Sequence, residues 1–186
     1  MSEKNKMLNQ EYYLSGDKEL AGDRDRAKEL LYDFNHTRPS ERSKRIDILK
    51  QLFHSVGENV WIEPPFFCDY GYNISVGDNF YANVNCTILD CTKVTIGHNV
   101  LFGPNVGLYS PNHPIDVEER NAGYERALPI VIGDNVWIGG SVTIIPGVTI
   151  GENSIIGAGS VVTKDIPPNV VAAGVPCGVI RPITEK

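Results

Sequence analysis

The sequence predicts a mainly β protein: a parallel β-helix of hexapeptide repeats, preceded by a helical segment and interrupted once by a protruding loop. Three observations carry this prediction. Aliphatic residues recur at every sixth position over long stretches, residues 1–55 follow a helical period instead, and residues 109–131 keep no period at all. A chain of 186 residues is long enough for one sizeable core.

The head, residues 1–55, is expected to be helical. Ala27, Leu30, Leu31 and Phe34 fall on one helical face, while Asp23, Arg24, Asp25 and Arg26 fill the other. After Pro39 the pattern returns at Leu49, Leu52, Phe53 and Val56, with Ser40 as the expected N-cap. Helices of this length draw most of their stability from packing, so the head is expected to lie against the rest of the chain.

The β-helix is expected to occupy residues 56–186. Ile132, Ile138, Ile144, Ile150, Ile156 and Val162 are evenly spaced, and glycine follows at Gly133, Gly139, Gly151 and Gly157. Val136, Val142, Val148, Ser154 and Ser160 form a second row four places after each aliphatic. The same register holds at Ile96, Phe102 and Leu108, and an offset copy runs through Val76, Ala82 and Ile88. Such periodicity marks a solenoid, in which each hexapeptide makes a strand and a turn and three make a coil of about eighteen residues. Glycine beside the inward aliphatic suits a tight corner where positive φ is wanted. An antiparallel sandwich would show a period of two and hairpin turns, which this ladder does not fit.

Composition narrows the partners. A net charge of −6 argues against nucleic acid, and no apolar run reaches membrane-spanning length. The opening Met1-Ser2-Glu3-Lys4 is polar, and Cys68, Cys86, Cys91 and Cys177 form no CxxC pair, so a cytoplasmic protein with reduced thiols is expected.

The repeats, together with "YDFNHTRPSE", "CDYGYN", "NHPID", "IGDNVWIGG" and "VVTKDIPPNVVAAGVPC", resemble the maltose and galactoside O-acetyltransferases among the hexapeptide-repeat acyltransferases. The resemblance covers nearly the whole chain. It implies a left-handed β-helix, against the usual right-handed crossover rule, and a homotrimer with active sites between subunits. It also implies acetyl-CoA as co-substrate and a sugar hydroxyl as acceptor, with the acetyl group moved directly.

The interruption at residues 109–131 is then the expected active-site loop. A loop histidine is by itself an ordinary surface residue; by resemblance, His113 is the general base, and an imidazole ordinarily titrating near ~6.5 suits the task. Asn83 is expected to assist it and to touch the acceptor. Asp17, Asp69, Tyr81 and Asp90 match acceptor-pocket positions, and carboxylates suit a sugar because they accept hydrogen bonds from hydroxyls. Cys91 stands where the galactoside type carries an aspartate, and Asp69 where that type carries serine. On the donor side, Gly140 offers a backbone N–H to the thioester oxygen, Ala158 borders the pantetheine arm, and Thr163, Lys164 and Arg181 match positions around adenine and phosphates. Gly178 departs from the arginine common in the family.

Three other readings follow from the same fold. A non-catalytic structural solenoid would show an uninterrupted ladder, and the protruding loop that carries His113 argues against it. A γ-type carbonic anhydrase would need three histidines converging on zinc; the four here are not spaced for that, and no metal is expected. An acyltransferase acting on an amine, an amino acid or an antibiotic hydroxyl stays open, because the acceptor half of such enzymes varies. The sequence also leaves open whether the head serves its own active site or a neighbour's.

Overall fold

The computed structural model describes residues 1–184. Its centre is a triangular stack of coils that lays one short strand on each of three sheets per turn. Sheet I holds Ser55–Val56, Ile74–Val76, Val94–Ile96, Ile130–Ile132 and Thr149–Ile150. Sheet II holds Trp61–Ile62, Tyr81–Ala82, Leu101–Phe102, Trp137–Ile138, Ile155–Ile156 and Val170–Gly174. Sheet III holds Phe66–Cys68, Cys86–Leu89, Gly107–Tyr109, Thr143–Ile144 and Val161–Val162. Pairing between coils is parallel, until Cys177–Pro182 turns back antiparallel on Val170–Gly174 and closes the upper end.

The register explains the phase shift in the repeats. Val56, Val76 and Ile96 stack in line, twenty residues apart, whereas Ile132 and Ile150 are eighteen apart. The two extra residues of the lower coils sit at the edge between sheets III and I, where Asp90–Lys93 turn the corner. Ile96 stacks under Ile132, and the long gap between them contains the whole inserted loop at that same edge, one coil higher.

The inward residues form one continuous core from Val60 to Ala172. Phe102 stacks between Ala82 below and Ile138 above, and its ring meets Phe80 edge-on with 5.1 Å between centroids. Higher up, the fully buried Ser154 and Ser160 replace valine. Ser154 donates to Pro167 O, Ser160 donates to Gly157 O, and both accept backbone N–H groups from the closing segment.

At the edge between sheets I and II, glycine has a different role from the one expected. Gly133 does not take the positive φ; a Cβ there would lie 2.6 Å from the Glu152 nitrogen of the next coil, so glycine permits the close stacking. The left-handed residue is the asparagine two places on: Asn59, Asn79, Asn99, Asn135, Asn153 and Asn169 all have φ between 53° and 59°. Their side-chain amides hydrogen-bond from coil to coil at 2.9–3.2 Å along the whole stack.

The head caps the lower end. Helix α1 (Glu3–Leu8) is followed by a short strand at Tyr13–Leu14, then by α2 (Lys18–Asn35) and α3 (Arg42–Leu52). Ala27, Leu31 and Phe34 of α2 and Ile48, Leu49 and Leu52 of α3 are buried with Phe66 of the first coil. Ser40 does not cap α3. The N-cap is Glu41, whose carboxylate accepts the Arg38 N–H, and Val56 belongs to the first strand rather than to the helix.

The outer faces differ in character. Sheet I turns Ser55, Ser75, Thr95, Val131 and Thr149 outward, whereas sheet II presents Trp61, Tyr81, Leu101, Trp137, Ile155 and Val171. Trp137 is 53% exposed in the single chain. Among the described residues no helix is long and apolar enough to cross a membrane.

Candidate active site

The inserted loop is a built structure. Pro111–Asn112 pairs antiparallel with Tyr124–Ala127, which pairs antiparallel with Tyr13–Leu14 of the head. Between these strands lies a short helix, α4 (Val117–Asn121), capped by Asp116. Arg120 donates to the carbonyls of Pro114 and Ile115, clamping the turn beside His113. The His113 N–H donates to Asn112 Oδ1 at 3.0 Å, and its exposed ring borders a small hollow with Tyr12, Arg126 and Leu128. Arg126 in turn donates to Gln10 O. Head and loop are therefore joined within one chain.

Below this sheet, the same edge forms a cavity of about 270 Å³ lined by Ser15, Arg24, Asp69, Tyr70, Cys91 and Glu125. Asp69 Oδ2 accepts from the Cys91 thiol at 3.4 Å, and burial raises the Asp69 carboxyl above its ordinary range. Burial likewise drives the Cys91 thiol far up, with the charge of Asp69 adding to it. Arg24 donates to Tyr70 Oη at 2.6 Å and to Ser15 O at 2.8 Å. The larger hollow of about 540 Å³ beneath the cap, lined by Ile46, Lys50, Val56 and Asp78 among others, includes none of the candidate residues.

Two acceptor-side expectations meet a different geometry. Asp90 is fully buried, and its carboxylate accepts the N–H groups of Asp69, Tyr70 and Asn73 at 3.1, 2.8 and 3.3 Å. It stands behind the cavity and shapes the Asp69 turn. Asp17 caps α2 by accepting from the N–H groups of Glu19 and Leu20; Ser15, two residues earlier, is the neighbour that lines the cavity.

Burial pushes the Asp90 carboxyl up to about 7, against the lowering effect of its backbone donors. A carboxyl whose pKa rises on folding holds its proton more tightly in the native state. Its stabilising contribution is therefore greatest at low pH and declines as pH rises from about 4, the usual carboxylate value, to about 7. Asp90→Ala is expected to lower stability by about 1–3 kcal/mol or more, because it strands buried N–H groups. The deficit should narrow as pH is raised across that window. Thermal melts of parent and variant from pH 4 to 8 check this, and a deficit that widens with pH would contradict it.

The edge between sheets II and III has another chemistry. Gly139 N–H bonds Ile156 O and Ser141 N–H bonds Pro104 O, but the Gly140 N–H between them has no backbone partner among the described residues. Ala158, one coil up, repeats the pattern between Gly157 and Gly159. In the second coil the corresponding donor, Val84 N–H, is taken by Asn83 Oδ1 at 2.8 Å, which leaves the Asn83 amide nitrogen as a donor. Tyr81 is half-buried on the outer face of sheet II, on the strand Tyr81–Ala82 that leads directly into Asn83.

The candidates thus fall into groups. His113 and Asp69 share the edge between sheets III and I, with Asp90 behind them and Thr163 and exposed Lys164 higher up. Asn83, Gly140 and Ala158 line the edge between sheets II and III, and Arg181 lies exposed on the closing hairpin. Ser15, Arg24, Tyr70 and Glu125 line the cavity, yet sequence reasoning did not single them out as ligands. Arg24 was read as part of a solvated helix face. Among the described residues, no group of three or more His, Cys, Asp or Glu is placed to hold a metal.

Comparison with known proteins agrees with this architecture. A model described as a bacterial transferase hexapeptide of six repeats matches residues 129–164, which puts the solenoid in the transferase class. A second, the maltose acetyltransferase hexapeptide capping motif, matches residues 6–57. The galactoside O-acetyltransferase of Escherichia coli K12 is 60% identical over 161 residues, covering 87% of this chain and 79% of its own. The crystal structure of a maltose O-acetyltransferase from Clostridium difficile 630 superposes with a TM-score of 0.98 at 55% identity, covering 100% of this chain and 99% of its own. A galactoside acetyltransferase in complex with coenzyme A gives 0.95 at 54% identity, covering 99% and 92%. The chain belongs to the maltose and galactoside O-acetyltransferase family.

Proposed function

We propose that this protein transfers an acetyl group from acetyl-CoA to a hydroxyl of a small sugar, using His113 as general base and forming no acyl-enzyme. The observation that carries the reading is the carboxylate-bearing cavity built at the same edge as the His113 loop. In this reading His113 takes the proton of the sugar hydroxyl as its oxygen attacks the thioester carbonyl. The Gly140 N–H stabilises the charge that develops on the carbonyl oxygen. The thiolate then leaves and recovers a proton from the imidazolium. Asn83 donates its free amide N–H to the reacting groups, and Asp69 binds the sugar. Asp90 acts from behind as a positioning residue, and Asp17, which caps α2 through Oδ1, keeps its second carboxylate oxygen toward the hollow it lines with Ser15 and Gly123. Direct transfer is favoured by the state of the thiols. Burial raises all four, and Cys86 in the solenoid interior is pushed up to about 12, so none is set up as a nucleophile.

The active site is proposed to lie between copies in a homotrimer. His113 and Asn83 occupy different edges of one prism, so a second chain is needed to bring such residues together. The exposed stripe of Trp137, Leu101 and their neighbours on sheet II supplies an apolar face for that packing, unlike the Ser/Thr face of sheet I. A coenzyme lying between copies would meet Gly140 and Ala158 on one side and Thr163 and Lys164 on the other, with Arg181 near its phosphates. Light scattering is expected to give about three times the 20.5 kDa chain mass. A fully active monomer would overturn the assembly. The activity is tested by thiol release from acetyl-CoA with sugars, amines and chloramphenicol offered as acceptors. Release with amines or chloramphenicol but with no sugar would reject the sugar reading.

A further inference from the structure

Glu125 lies on the loop strand Tyr124–Ala127, directly opposite Tyr13 in the head. The Tyr13 hydroxyl donates to Glu125 Oε2 at 2.6 Å, and Tyr13 is fully buried. A buried phenol thus holds one carboxylate oxygen, and the other is available to a ligand. The same strand pairs with Pro111–Asn112, next to His113, so the carboxylate has a fixed relation to that residue.

Asp69 also lines the cavity, with Oδ2 engaged by Cys91 and Oδ1 available. The cation lining the cavity, Arg24, gives one hydrogen bond from each terminal nitrogen to a neutral protein oxygen, Tyr70 Oη and Ser15 O. Two carboxylates against one guanidinium leave the lining of the cavity with an excess of negative charge. An anionic guest would be repelled by that excess in a partly desolvated space. A neutral sugar offers hydroxyl donors, which carboxylate oxygens accept well, and about 270 Å³ is small enough to favour a single ring.

We infer that Glu125 is a specificity-determining residue of this cavity, and that with Asp69 it selects a neutral sugar over phosphorylated or uronic acceptors. The inference rests on the reading of the cavity as the acceptor site. Tyr13 then acts as a positioning residue that holds the carboxylate without touching the sugar.

The test uses the full chain with saturating acetyl-CoA and three acceptors: methyl glucopyranoside, glucose 1-phosphate and glucuronic acid. The parent should favour the neutral sugar in kcat/KM by about a hundredfold. Glu125→Gln should raise KM for that sugar about tenfold with little change in kcat, and should narrow the neutral-to-anionic ratio about tenfold. Tyr13→Phe keeps the charge but releases it, so KM should rise while the ratio stays near the parent's. If the neutral sugar is acetylated but Glu125→Gln keeps both the parent KM and the parent ratio, the inference is wrong and the sugar reading stands. If the parent releases thiol with none of the three, the sugar reading fails and the inference fails with it.

Discussion

Replacing His113 with alanine is expected to lower kcat by about 10²–10⁴-fold while coenzyme affinity is retained. The loss is large because no other imidazole is available: His36 and His54 belong to the head, and His98 sits at the opposite I/II edge, accepting the Asp78 N–H. Coenzyme affinity should survive because Gly140, Ala158, Thr163 and Lys164, the residues proposed to meet the coenzyme, belong to coils that the loop does not build. Steady-state kinetics and calorimetry with coenzyme A check the two halves. Near-normal turnover in His113→Ala would reject the general-base role. A stable acetylated protein after mixing with acetyl-CoA alone, seen by mass spectrometry, would instead point to a covalent route.

Phe102→Ala is expected to destabilise the fold by about 3–5 kcal/mol, the usual range for emptying a buried phenylalanine site. The position is unforgiving because Ala82 stacks directly beneath it. The large ring fills space that its small neighbour leaves, against Phe80. With two alanines in register, the cavity can close only if a coil shifts, and its hydrogen bonds to the coils above and below oppose that. Denaturant unfolding of parent and variant at equal protein concentration measures the difference, since assembly would make stability depend on concentration. A change under about 1 kcal/mol would mean that the stack relaxes far more readily than a close-packed core does.

How much of this was legible in the chain depends on the range of the interaction that creates each feature. The ladder of Ile132, Ile138, Ile144, Ile150 and Ile156 is a local pattern, because every coil must meet the same packing demand as its neighbours. The break at residues 109–131 was visible for the same reason, as a failure of that pattern. The role of the corner glycines was misjudged. The need for Gly133 arises from a backbone in the next coil, and the positive φ passes to Asn135. The asparagine column became visible only once coils with unequal spacing were stacked in register.

The sequence alone determined the solenoid, the cap and the place of the loop, because hydrophobic periodicity acts over six to twenty residues. The tertiary structure alone decided the cavity. Tyr13 meets Glu125 across 112 positions, Arg24 meets Tyr70 across 46, and no local pattern foretells either contact. The same holds for Asp90, where a carboxylate that reads as a sugar ligand is drawn inside to satisfy the backbone of the Asp69 turn. Burial and hydrogen-bond satisfaction are properties of the folded assembly of segments, so the chemistry of this site is set by which distant strands pair over one edge of the prism.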